Sequence, residues 1–155
     1  MITLATDSQT REVREITTLC YPDRDPRYLD YFFKNYYQAE NCYLNVIDGE
    51  ICSMVYRNPH VILFNDRPIK TSMLLGVATS PSKQGKGYMK QLLDVVLDAC
   101  EHSELITLLQ TDSPELYRPF GFENIYKRQK FIFERKDVER TTLMGVGYEP
   151  TVDII

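Results

Sequence analysis

The chain has 155 residues, 26% of them charged, and a formal net charge of −4. That length is one domain, able to bury roughly 70% of its unfolded surface without a metal or disulfide staple. The acidic balance argues against nucleic acid, which wants a basic face. No apolar run nears the roughly 20 residues of a membrane span, and Met1-Ile2-Thr3-Leu4-Ala5-Thr6-Asp7 does not open a signal peptide. A cytoplasmic protein is therefore expected.

The first third reads as helical. Asp7 and Ser8 can cap a helix whose apolar positions are Val13, Ile16, Leu19 and Cys20. Asp25-Pro26 is a second start signal, because Asp accepts from orphan N–H groups and proline fits the first helical position. Tyr28, Leu29, Tyr31, Phe32, Phe33, Tyr36 and Tyr37 follow it. The period then changes to that of strands. Cys42–Ile47 and Ile51–Tyr56 flank Asp48-Gly49, a two-residue hairpin turn. Val61–Phe64 leads through Asn65-Asp66-Arg67-Pro68 into a strand from Ile69 to Thr79. Its continuously apolar Met73–Ala78 suits a position covered on both faces.

A helix is expected from Gly87 to Glu101, with Met89, Leu92, Val95, Val96, Ala99 and Cys100 on one stripe. Leu105–Leu109 reads as a short buried strand, parallel to strand 70–79 across that helix. A short helix over Pro114–Tyr117 and strands near Glu123–Tyr126 and Lys130–Glu134 complete an α/β domain with a mixed sheet. Cys20, Cys42, Cys52 and Cys100 are widely spaced and read as reduced thiols. No metal site is expected, since neither His60 nor His102 lies near a cysteine pair.

The segment from Gly76 to Lys90 carries the first chemistry. It passes from a buried strand through Gln84-Gly85-Lys86-Gly87 into a helix start, where unpaired N–H groups and the helix dipole attract an anion. Gly85 and Gly87 let a phosphate approach the backbone, and Lys83, Lys86 and Lys90 add positive charge. It is not an NTPase loop, because Tyr88 follows Gly87. It is not a dinucleotide loop either, because no third glycine follows.

Here the chain resembles the GNAT superfamily of acetyl-CoA-dependent N-acetyltransferases. Their signature, Gln/Arg-x-x-Gly-x-Gly/Ala, reads Gln84-Gly85-Lys86-Gly87-Tyr88-Met89, with Met89 where glycine or alanine is usual. That departure, with Val77-Ala78-Thr79, Pro81 and the hairpin from His60 to Ile69, looks like the enhanced-intracellular-survival (Eis-like) branch. The resemblance covers residues 1–135 and implies a mostly antiparallel mixed sheet with a central parallel βαβ unit and helices on both faces. It leaves 136–155 as a tail of the same domain, an arm on a partner, or loose chain.

By this resemblance Val77, Ala78 and Thr79 would pair with the pantetheine arm of acetyl-CoA, and Gly85, Lys86, Gly87, Tyr88, Met89 and Lys90 would hold its pyrophosphate beside Gln84. Tyr117, in Tyr117-Arg118-Pro119-Phe120-Gly121-Phe122, matches the family tyrosine that protonates the leaving sulfur, and Asp112 and Ser113 match positions flanking the coenzyme. A phenol with a pKa near about 10 still holds its proton at neutral pH. The implied reaction is direct transfer to a primary amine, on a small molecule or peptide. A domain that binds an acyl-CoA without catalysis is the alternative.

Some family members place a glutamate base near position 73. Here Met73 cannot accept a proton, which leaves Asp112, Glu115, a water chain or the Ile155 carboxylate. Tyr21, Tyr28, Tyr31, Tyr36, Tyr37 and Tyr43 are six of the 11 tyrosines. They either line the acceptor side, where rings suit a cation, or pack the helices on the sheet. A homo-oligomer is compatible with the sequence.

Overall fold

The computed structural model describes residues 1–125. The chain divides into two compact units, Met1–Glu123 and Asn124–Ile155, and every element below belongs to the first. The expected strand at 130–134 and the expected boundary at 135 lie outside the described residues, whereas Glu123, Asn124 and Ile125 of the strand expected at 123–126 are described and form no strand.

A strand that the sequence reading missed comes first: β1, Ile2–Leu4, pairs antiparallel with β2, Cys42–Ile47. Thr6 starts the first helical segment, its N–H donating to the Gln9 side chain at 3.0 Å. A 3-10 turn over Asp7–Gln9 then leads into α1, Thr10–Cys20. Val13 and Ile16 are buried as expected, but Leu19 is 63% exposed and Thr17 takes its place on the inner face. α2, Pro26–Asn35, begins as its signal predicts, with the Asp25 carboxylate accepting from the Arg27 N–H at 2.8 Å.

β3 runs unbroken over Glu50–Phe64, where two short strands were expected. The reason lies in its partners. β2 pairs with β3 only as far as Tyr56, so Pro59 sits where β3 has a neighbour on one side alone and its missing N–H costs no ladder bond. β4, Arg67–Thr79, returns after a two-residue turn in which Asn65 and Asp66 both have positive φ, rather than through the four residues anticipated. Val61, Leu63 and Phe64, near the tip of this hairpin, are exposed.

α3, Tyr88–Glu101, crosses to β5, Ile106–Leu109, which is parallel to β4. The sheet order is therefore β1-β2-β3-β4-β5, antiparallel except for the last pair. The inner stripe of α3 is Leu92, Leu93, Val96 and Cys100. Val95, expected inside, is 43% exposed, and Leu93 is buried instead. The segment expected as a buried strand from Leu105 is less buried than that: Leu105, just before β5, and Ile106, its first residue, are exposed.

Two cores result, one on each face. α1 packs Val13 and Ile16 on Leu44, Met54, Tyr56 and Ala78. α3 packs Leu92, Leu93 and Val96 on Val55, Leu74 and Tyr117. Midway along β4 the buried Glu104 carboxylate pairs with Arg57 and accepts from the Ser72 hydroxyl at 2.5 Å, tying the end of α3 to the sheet.

The stripe of α3 gives a direct test. Leu93→Ala is expected to cost about 2–5 kcal/mol in urea unfolding, and Val95→Ala to stay within about 0.5 kcal/mol. Equal losses at the two positions would contradict this helix register.

Candidate functional site

β4 carries one residue more than β3 at a single point. Met54 faces Ala78 and Tyr56 faces Leu75, so Gly76 and Val77 together oppose Val55. Gly76 has φ +57, and a Cβ there would meet only Met54 Cε at 3.7 Å, so glycine is required by backbone conformation and not by space. Pairing with β5 stops at Leu74–Leu109, immediately before this bulge. Among the described residues nothing continues the ladder beside 75–79 on that side.

Strand alternation decides which groups face the gap. The Ser80 N–H donates to the Cys52 carbonyl at 2.9 Å, so Ser80 and Ala78 turn to β3 while Val77 and Thr79 turn outward. Of the three residues expected to present their backbone, Ala78 therefore points the other way. The Val77 carbonyl accepts from the Tyr21 hydroxyl at 2.9 Å. The Thr79 carbonyl accepts from Cys20 Sγ at 3.3 Å and from Gln84 Nε2 at 3.2 Å.

Beyond Thr79, a 3-10 turn at Pro81–Lys83 and two left-handed glycines, Gly85 at φ +74 and Gly87 at φ +78, carry the chain to α3. A Cβ on either glycine would meet nothing within 4 Å, so the outer side of this loop is open. Gly87 is the N-cap and offers no side chain, which leaves the first N–H groups of α3, on Tyr88, Met89 and Lys90, without a side-chain cap. The loop is moored from beneath, where the Tyr88 carbonyl accepts from Ser53 Oγ at 3.2 Å and Asn45 Nδ2 at 3.4 Å.

The lysines are less available than their sequence suggests. Lys83 pairs with Glu50 and Lys90 with Asp94, both at 2.7 Å, and Lys86 makes no ion pair among the described residues.

Tyr117 sits between two 3-10 turns, Pro114–Leu116 and Arg118–Phe120, and packs edge-on against Phe122 at 6.1 Å. It is 9% exposed in the α3 core, and burial pushes its pKa up. No hydrogen bond found among the described residues engages its hydroxyl. Ser113 Nα donates to Thr111 Oγ1 at 3.0 Å in the loop after β5, where Asp112 and Glu115 are both exposed. Met73 lies on the paired part of β4, opposite Asn58 and Leu108.

The aromatic residues separate into two groups. Phe32, Phe33, Tyr37 and Tyr56 form an edge-on and tilted cluster at 5.0–6.4 Å that fastens α2 to the sheet, so for these the packing alternative holds. Tyr21 instead reaches the gap beside β4. Periodicity could not reveal this, because Tyr21 is the residue that ends α1, with non-helical φ −128 and ψ 63. All four cysteines are free thiols, and no cluster of potential metal ligands occurs among the described residues. No helix among the described residues is long and apolar enough to cross a membrane.

Comparison with known proteins points the same way. Residues 1–125 match the model of the family described as acetyltransferase (GNAT) domain. No curated protein matches the sequence significantly. Among solved structures, a probable N-acyltransferase from Enterococcus faecalis is similar with a TM-score of 0.67 at 17% identity over 78% of this chain. Eis1 from Mycobacterium abscessus gives 0.66 at 11% identity over 78%. This chain spans 31% of the length of each of those two proteins. A GNAT acetyltransferase from Brucella melitensis, solved in complex with acetyl-CoA, gives 0.64 at 18% identity over 80% of this chain and 82% of its own. At these identities the likeness is one of fold.

Two stability measurements test the gap. Gly76→Ala forces an alanine into positive φ and is expected to cost about 1–2 kcal/mol in urea unfolding. Tyr21 has its pKa raised from 10.0 to about 12, first by burial and then by the charge of Tyr117. Below pH 10 it is protonated in both folded and unfolded chains. Between about 10 and 12 the unfolded chain ionises first, so stability falls as pH rises through that window. Tyr21→Phe is expected to flatten the fall measured over that range, and an unchanged profile would mean that the phenol is not held as described.

Proposed function

The chain belongs to the GNAT acetyltransferase family, and on that premise we propose that it is an acetyl-CoA-dependent N-acetyltransferase, moving the acetyl group directly to a primary amine of a small molecule or peptide. The observation that carries this reading is the outward backbone of Val77 and Thr79 beside an unpaired stretch of β4, with the open glycine loop at one end and Tyr117 alongside.

The residues suit the coenzyme. An extended amide-bearing arm can add to a strand edge whose N–H groups lack partners, and Val77 and Thr79 offer such groups. The N–H groups from Gly85 to Lys90, at the positive end of α3, suit a pyrophosphate. Lys86 is the lysine free to add charge there, while Lys90 would first have to leave Asp94. Gln84 acts on the loop itself, closing it onto Thr79. Asp112 and Ser113 would flank the arm from the far side of the gap.

Bound acetyl-CoA supplies an activated thioester. In the transfer the amine nitrogen forms a bond to the acyl carbon as the C–S bond breaks. One proton leaves the nitrogen and one reaches the sulfur. Tyr117 is the proposed donor of the second, since its raised pKa keeps the proton on the phenol at neutral pH until a thiolate develops beside it. A backbone N–H of the strand edge, Val77 being the nearest to the bulge, can stabilise the developing oxyanion.

Calorimetry with acetyl-CoA is the first test. Wild type is expected to bind, Lys86→Gln to bind about fivefold more weakly, and Gly87→Glu to lose binding while still melting cooperatively. Tyr117→Phe is expected to keep coenzyme affinity and lose about 100-fold or more in kcat for CoA release with amines. Binding without turnover in wild type would leave a coenzyme-binding domain, and no binding would remove the proposal altogether.

A further inference from the structure

Tyr21 and Tyr117 approach the same point of β4 from opposite faces of the sheet. Tyr21 ends α1, whose core includes Met54 and Ala78, whereas Tyr117 belongs to the core of α3 with Val55 and Leu74. Both lie by the stretch of β4 where pairing to β5 has ceased, and a charge on Tyr117 pushes the pKa of Tyr21 up. The gap is thus flanked by the loop before α3 and by the end of α1.

The Tyr21 ring is held firmly. Its hydroxyl donates to the Val77 carbonyl at 2.9 Å, its own N–H donates to Thr17 at 3.0 Å, and the Arg24 guanidinium lies over the ring at 5.6 Å and over Tyr28 at 5.3 Å. A phenol has one proton to donate. Here that proton is directed at a strand carbonyl, so what the oxygen can still offer is its lone pairs. It can therefore accept an N–H but cannot serve as the donor to a second partner.

We propose that Tyr21 is an acceptor-orienting residue, which takes one N–H of the incoming amine on its fixed hydroxyl oxygen and so turns the nitrogen lone pair toward the acyl group along β4. The inference rests on the transferase reading above and sharpens its substrate class. A neutral primary amine has two hydrogens on nitrogen. One is held by Tyr21, and the other is the proton released as the C–N bond forms and the C–S bond breaks. A secondary amine has a single hydrogen, which cannot both remain on Tyr21 and be released. The site should therefore favour primary over N-methylated amines by this contact, beyond any steric preference.

The test measures CoA release by wild type and Tyr21→Phe with benzylamine, tyramine, cadaverine and a lysine-containing peptide, and then with the N-methyl counterpart of the fastest. Tyr21→Phe is expected to lose about tenfold in kcat/KM for the primary amine, to lose part of the preference over the N-methyl amine, and to keep the acetyl-CoA dissociation constant within about twofold. An unchanged preference accompanied by a lower melting temperature would assign Tyr21 a structural role only and overturn the inference, leaving the transferase reading intact. Absence of turnover by wild type with every amine would overturn the transferase reading and this inference with it.

Discussion

The extra residue in β4 opposite Val55 is the constraint on which the cleft depends. In a regular strand the outward N–H and C=O groups point straight at the place of the next strand and are spent within the sheet wherever one lies there. Accommodating Gly76 at positive φ breaks that regularity at one point. Pairing with β5 ends just before it, and the outward groups of Val77 and Thr79 are left for other partners. In the structure those partners are side chains: Tyr21 for one carbonyl, Cys20 and Gln84 for the other. The backbone thus stays satisfied at its acceptors while its outward donors remain available.

Placing two phenols at one strand position requires helices on both faces. α1 could not bring Tyr21 to Val77 without the buried Val13 and Ile16 holding it on the sheet, and Tyr117 is fixed by the core beneath α3. The aromatic cluster of α2 has a different task, fastening that helix over Tyr56. Tyr56 also donates its hydroxyl to the Tyr36 carbonyl at 2.9 Å, which closes the end of α2 onto β3.

Sequence makes legible what depends on local chemistry. The Asp25-Pro26 start, the Asp48-Gly49 turn and the two-glycine approach to α3 all follow from backbone requirements that few residues meet. The mixed sheet with its parallel βαβ unit follows from the change of period along the chain. What stays hidden depends on partners distant in sequence. β1 is three residues long and is defined only by its ladder to β2. The single long β3 contains a proline that is tolerable only because its neighbour strand has already ended. Val95 and Leu93 differ by a rotation of the helix that the apolar residues of α3 do not settle by themselves. Tyr21 looks like one tyrosine among many until its hydroxyl is found on Val77, and the pairing of Lys83 with Glu50 joins charges that sequence reading counts separately.

The two neighbours of β4 also differ in when they can form. The β3–β4 hairpin closes through two residues, so its pairing is local and needs little chain entropy to establish. The β4–β5 pairing must wait for α3 to form and dock between them, a far longer loop. The cleft therefore lies at the seam between a hairpin pairing and one of the least local contacts of the sheet. A chain that has lost its slow pairing can keep an intact hairpin, with its strand content largely preserved, and yet have no cleft. Measures of secondary structure would register such a species as nearly native, whereas only a ligand that spans the seam would distinguish it.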